Sequence, residues 1–308
     1  MRNTKLLMTI LWVLIVVYAV AEVVISVVPQ SIPPAFLVLT LVAFALIHGA
    51  LRYRWSGILI FVVICLVVSN ILENTSILTG FPFGHYHYTG ALGPKLFLVP
   101  LLIGPAYVST GYLAWVLSTV LVGDVRRDSR ALETFVVPFI ASFIMVVWDL
   151  CMDPTSSTIR HWWIWEQGGG YFGVPLTNYL GWFFTVYIFY QLFALYLRFR
   201  QAGHVETPAL PRPYYAQAII LYALLGLAYI LGYLVSSNTQ VTDAAGIVWH
   251  TGNIYETAAI VSIFTMIFVA ALSAVKLLQG SADVPNTSVD AKTDETATKR
   301  TDMAGSKN

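Results

Sequence analysis

The sequence predicts an all-α fold, a polytopic membrane helical bundle of about eight transmembrane helices with a re-entrant segment on its outer side. Three observations predict it. Of 308 residues 57% are hydrophobic and 11% are charged, with a mean hydropathy of +0.72, more apolar surface than a soluble fold can hide. The apolar residues fall in runs near the ~20 residues needed to cross a hydrocarbon core. Lys and Arg are biased between alternate connections, as orientation in a membrane requires.

The first run, 6–28, follows Arg2 and Lys5. Ala19-Val20-Ala21 has the form of a signal-peptide cleavage site, yet apolarity continues to Val28 and no polar mature domain follows, so an uncleaved first helix is expected. Pro29 and the Pro33-Pro34 pair turn the chain, and further runs lie at 35–51, 56–72, 96–121, 131–152, 174–197, 214–235 and 255–278. With the N-terminus inside, the cytoplasmic segments hold fifteen of the seventeen Lys and Arg, among them Arg52, Arg54, Arg126, Arg127, Arg198, Arg200 and Arg212, while the outer segments hold Lys95 and Arg160. That places a multi-pass chain in the cell membrane with both termini cytoplasmic. Residues 1–279 form the transmembrane domain; 280–308, rich in Ser, Thr, Asp, Lys and Ala, read as a disordered cytoplasmic tail. A formal charge of +1 excludes a strongly basic nucleic-acid binder. Cys65 and Cys151 lie inside apolar runs and suggest no disulfide, and six histidines are too few for a multi-histidine di-iron site.

Depth organises the ionisable groups. Glu22, Glu73, Asp149 and Glu256 all fall toward the outer ends of their helices, and since each would cost ~2–3 kcal/mol or more at mid-membrane, a shared polar cavity is expected. Between helices 3 and 4, Gly80, Pro82 and Gly84 break any helix while Phe81, Phe83, Tyr86 and Tyr88 need an apolar surface, which predicts the re-entrant piece. His85 and His87 would share one face of an extended strand. They have no third ligand at a recognisable distance, so hydrogen bonding or proton relay is expected of them and a metal is not. Asp149 and Asp153, four apart, share a helix face in the last turn before Pro154, which should end the helix. Two acids stacked near hydrocarbon cannot both ionise cheaply, so one is expected to keep a proton.

Trp162, Trp163 and Trp165 then suit either an interfacial belt or a pocket wall that tolerates a carbocation. His48 reads as a packed histidine. Asp243, Trp249, His250 and Asn253 add a weaker signal. Two kinds of function fit: acid chemistry on a lipid-soluble substrate, or proton-coupled transport, against which the lack of Asp and Glu in the inner half counts.

The stretch from Glu73 to Pro105, with Thr79-Gly80-Phe81-Pro82-Phe83-Gly84-His85-Tyr86-His87-Tyr88 and Pro94-Lys95-Leu96-Phe97-Leu98-Val99-Pro100, resembles the carotenoid-biosynthesis membrane protein family of carotenoid hydratases. So do Trp148-Asp149-Leu150-Cys151-Met152-Asp153-Pro154 and the segment from Tyr171 to Trp182, within a resemblance over residues 40–275. The Trp162-Trp163-Ile164-Trp165 run is richer in Trp than the resemblance leads one to expect.

The resemblance implies addition of water to the terminal gem-dimethyl C=C of an acyclic carotenoid end, without a cofactor. Archaeal members convert bisanhydrobacterioruberin to bacterioruberin; bacterial relatives hydrate the 1,2 bond of lycopene or γ-carotene type ends. The implied partners are the carotenoid, water, membrane lipid and other carotenoid-pathway enzymes; a non-catalytic carotenoid-binding scaffold is the alternative. Such a reaction needs a neutral acid to protonate the less substituted alkene carbon, then water to capture the tertiary cation. Asp149 or Asp153 is the expected donor, Glu73 the second acid, and Glu73 or His85 the group that positions water. Phe83, Tyr86, Tyr88, Trp148, Trp165 and Asn178 are the expected substrate contacts, each aromatic ring facing a cation being worth ~0.5–2 kcal/mol.

Overall fold

The computed structural model describes residues 2–126, 129–199 and 210–279. The tail at 280–308 lies outside the described residues, as do Arg127 and Arg200 of the charge count. The helices are α1 (Arg2–Val27), α2 (Pro34–Thr79), α3 (Ile103–Val122), α4 (Ala131–Asp153), α5 (Leu176–Phe199), α6 (Arg212–Val235), α7 (Thr251–Val261) and α8 (Phe268–Gln279). π-helical turns, Pro154–Ile159 and Ser262–Ile267, extend α4 and join α7 to α8. Among the described residues seven continuous helical segments are long and apolar enough to cross a membrane, which satisfies the rule that a backbone in hydrocarbon must bond within itself.

The second segment makes two passes. Arg54, at φ 59° and ψ 168°, breaks α2 into arms 34–53 and 55–79. A side chain at Gly49 would collide with Ile58, so the arms lie side by side. A straight helix would set residues 34 and 73 about 58 Å apart; here Pro34 and Glu73 line one cavity. Counted this way, the described residues make the eight expected passes.

Four boundaries differ from expectation. The second arm runs to Thr79, seven residues beyond the predicted 72, because Gly80 closes it in the left-handed conformation, φ 82°, with its N–H on Ser76 O at 2.7 Å. Glu73 therefore sits inside the helix and not at its end. Helix α3 begins at Ile103, not 96, because 95–100 form a hairpin of β2 (Lys95–Leu96) and β3 (Val99–Pro100). Pro154 does not end its helix: the chain widens into a π turn, which leaves room for a ring that has no N–H to donate. The last span starts at Thr251, earlier than the predicted 255.

The expected re-entrant segment is no helix. After Gly80 the chain turns back, with Ser76 Oγ accepting from Phe83 N–H and donating to Gly84 O at 3.0 Å each. It then forms β1 (Tyr86–Tyr88), antiparallel to β4 (Trp163–Trp165), with Tyr86 opposite Trp165 and Tyr88 opposite Trp163. Gly181 on α5 admits this loop: a Cβ there would stand 2.7 Å from Pro82 O. A third pair, β5 (Gln240–Thr242) and β6 (Val248–His250), holds Asp243 through Trp249 Nε1–H at 2.8 Å, a folding role for that connection.

Candidate active site

Five helix ends meet at one end of the bundle: the start and finish of α2, the start of α3, the finish of α4 and the start of α5. Between them lies a cavity of about 120 Å³. Its half-buried lining, Pro34, Val38, Leu102, Ile103, Ala106 and Met152 with Leu92, Trp148 and Trp162, contains no charge. Its floor is different, because Glu73 and Asp153 are 3% and 1% exposed and both face in.

Glu73 is held by three tyrosines. Tyr107 O–H donates to Oε1 at 2.7 Å, Tyr88 O–H to Oε2 at 2.9 Å, and Tyr86 O–H donates to the same Oε2. Strand alternation produces this, since Tyr86 and Tyr88 point inward while His85 and His87 point out. Burial first, and the Glu73 charge second, hold the Tyr86 and Tyr88 phenols well above the usual tyrosine range, so both remain O–H donors.

Asp153 is bound as fully. Trp163 Nε1–H and Trp165 Nε1–H donate to its Oδ1 at 2.8 and 3.2 Å, and Asn178 Nδ2–H to its Oδ2 at 2.6 Å. The second N–H of the same amide reaches Asp149 Oδ2 at 3.0 Å. The i, i+4 acids thus share a face and a clamp, and α5 supplies it. Asp149 lies behind the cavity wall, fully buried, and its Oδ1 has no hydrogen-bond partner.

Several expectations need correction. His85 does not reach the cavity: it is exposed, and its ring covers Gly80. His87 pairs at the surface with Glu166, Nδ1 to Oε1 at 3.3 Å. Glu22 and Glu256 do not join the shared cavity. Glu22 accepts Tyr18 O–H at 2.6 Å one turn away, and Glu256 is exposed, because common depth does not fix which way a helix faces. Phe83, Tyr86, Tyr88, Trp148, Trp165 and Asn178 all line the cavity. Tyr86, Tyr88, Trp165 and Asn178 are first of all donors to the acids. The sequence reading missed Tyr107, whose ring stacks on Trp182 at 4.4 Å, and did not separate Trp163 from its neighbours. Period-2 alternation across Trp163-Ile164-Trp165 is the signal that could have found the second of these.

The bundle and this cavity define an integral membrane protein in which an uncharged mouth opens onto two buried carboxyl groups. Residues 34–241, more than half of the chain, match the family described as carotenoid biosynthesis protein, and the chain belongs to that family. A relative from Haloarcula japonica, named bisanhydrobacterioruberin hydratase, is 31% identical over 116 residues, 36% of this chain and 36% of that protein. The match thus spans little more than a third of the relative's length. No solved structure matches.

Proposed function

We propose that the protein is a carotenoid hydratase, adding water across the terminal gem-dimethyl C=C of an acyclic carotenoid end. Bisanhydrobacterioruberin and lycopene or γ-carotene type ends are the substrates in view, and the Haloarcula relative's name supports the first. The charge bias of the connections supports a cavity on the outer face. The observation that carries the reading is that two carboxyl groups, each met by three donors, floor one cavity whose mouth is wholly uncharged.

In this reading Asp153 gives its proton to the CH carbon of the double bond, leaving a tertiary cation on the gem-dimethyl carbon. Asp149, behind it, is the like-charged neighbour that resists a second negative charge on the pair. The rings of Tyr86, Tyr88, Trp148 and Trp165 face the cation. Glu73, oriented by its three tyrosines, takes a proton from the water that forms the new C–O bond. The alkene gains H at one carbon and OH at the other, and the proton left on Glu73 returns to Asp153 through water.

The test is expression in a cell that accumulates the unsaturated carotenoid, with pigments separated and weighed by mass spectrometry. The expected product is one water heavier, and it should vanish with Asp153→Asn or Glu73→Gln at unchanged protein level. Full product from both variants would overturn the assignment.

A further inference from the structure

The hairpin β2–β3 and its apolar tip have no part in the chemistry above. Leu96, Phe97, Leu98 and Leu101 are 49%, 78%, 38% and 55% exposed, four large apolar side chains within six residues that stand at a hairpin and not on a spanning helix. In water such a patch would be an aggregation liability. Phe97 holds φ 57°, a conformation that bulky residues seldom adopt.

Three bonds hold the hairpin in place, and two of them lead to the acid floor. Leu98 N–H donates to Oδ1 of Asn74, the residue beside Glu73, at 3.0 Å. Lys95 Nζ donates at 2.6 Å to the carbonyl of Tyr88, whose hydroxyl serves Glu73. Leu101 N–H closes the hairpin on Pro94 O at 2.9 Å. Two residues beyond Pro100 the chain reaches Leu102 and Ile103, which line the cavity mouth.

Size sets what can enter. The cavity, about 120 Å³, is smaller than the ~150 Å³ apolar cavity that accepts one benzene ring. A branched hydrocarbon tip fits; a conjugated rod does not and has to lie outside, against apolar surface continuous with the mouth.

We infer that the hairpin tip, with the first turn of α3, is the seat of the polyene rod. The end group enters the cavity while the rod lies against Leu96, Phe97, Leu98 and Leu101 in the hydrocarbon. Selection of long conjugated substrates then resides outside the cavity, on a loop tied by hydrogen bonds to the residues that serve Glu73. The inference rests on the hydratase reading, and the test separates the two.

Full-length protein in phosphatidylcholine vesicles is given lycopene or a short prenyl alcohol with the same gem-dimethyl alkene end. Wild type is compared with the double variant Phe97→Ser, Leu98→Ser, both in the turn between the strands, and separately with Leu101→Asn. The ratio of kcat/KM for lycopene to that for the short alkene should fall about tenfold or more, through KM. Quenching of tryptophan fluorescence by lycopene should need correspondingly more pigment. An unchanged ratio, or equal losses on both substrates, overturns the seat. If wild type hydrates neither alkene the reaction has failed, and the quenching titration still decides: coincident curves for wild type and both variants reject the seat, displaced curves support it.

Discussion

The bundle buries polar clusters at both ends, and they are built differently. At the end remote from the cavity, His48 bonds Tyr112 O–H through Nδ1 at 2.6 Å and the Tyr214 carbonyl through Nε2 at 2.9 Å, with Tyr214 O–H returning to His48 O at 2.9 Å. The imidazole is packed between the rings of Phe44 and Tyr214, with centroids at 4.9 and 3.7 Å. Arg52 donates to Thr119 Oγ1 at 2.9 Å and pairs with Asp124. Each of these groups meets a partner; aromatic rings fill the space around the imidazole, while Thr119 and Asp124 border a second, charged and open pocket of about 670 Å³. At the site end the acids are also well bonded, but open volume stands against them and Asp149 keeps a bare oxygen. At His48, bonding without space holds helices together, whereas at Glu73 and Asp153 bonding beside an uncharged cavity leaves a carboxyl group able to act on a guest.

Substitutions at the two ends should have opposite consequences. Asp153→Asn removes the proton donor and should lower hydration by ~10²–10⁴-fold, read as pigment mass per unit of protein. Glu73→Gln keeps the shape but loses the base, and a fall of ~10²-fold is expected in the same assay. Tyr107→Phe takes one of three donors from Glu73, and a loss near tenfold is expected, since one such bond is worth ~1–3 kcal/mol when the acceptor is charged. His48→Ala is the converse: turnover per folded molecule should hold, while thermal unfolding in detergent shows a loss of ~1–3 kcal/mol from the orphaned partners of the ring. Glu22→Gln should alter neither readout. If His48→Ala abolished turnover in folded protein, the distinction between the two ends would fail.

Most of the fold was legible because hydropathy encodes depth. Hydropathy does not encode rotation, and the misplacing of Glu22 and Glu256 follows from that, whereas His85 is turned out by strand alternation. Glu22, Glu73 and Asp149 were placed at a common level, yet only tertiary packing turns Glu73 to the cavity and leaves Glu22 with its neighbour Tyr18. Tyr107 was invisible because, in an apolar run, a phenol that serves an acid looks like one that faces lipid. Leu96-Phe97-Leu98 read as the start of a helix by composition, although Pro94 and Pro100 bracket a hairpin. The Asp149–Asp153 face was legible from spacing alone. Asn178 is expected from the sequence as a substrate contact, and its clamp on two acids requires knowing that the start of α5 meets the end of α4.

The ladder between β1 and β4 carries a consequence for tuning. Two partners of Glu73 stand on one strand and two partners of Asp153 on the other, residue opposite residue. A slip of one position in either strand would swing that strand's two rings to the opposite face, because side chains in a strand alternate. The clasp therefore couples the two acids: six residues of paired backbone carry hydrogen-bond donors for both.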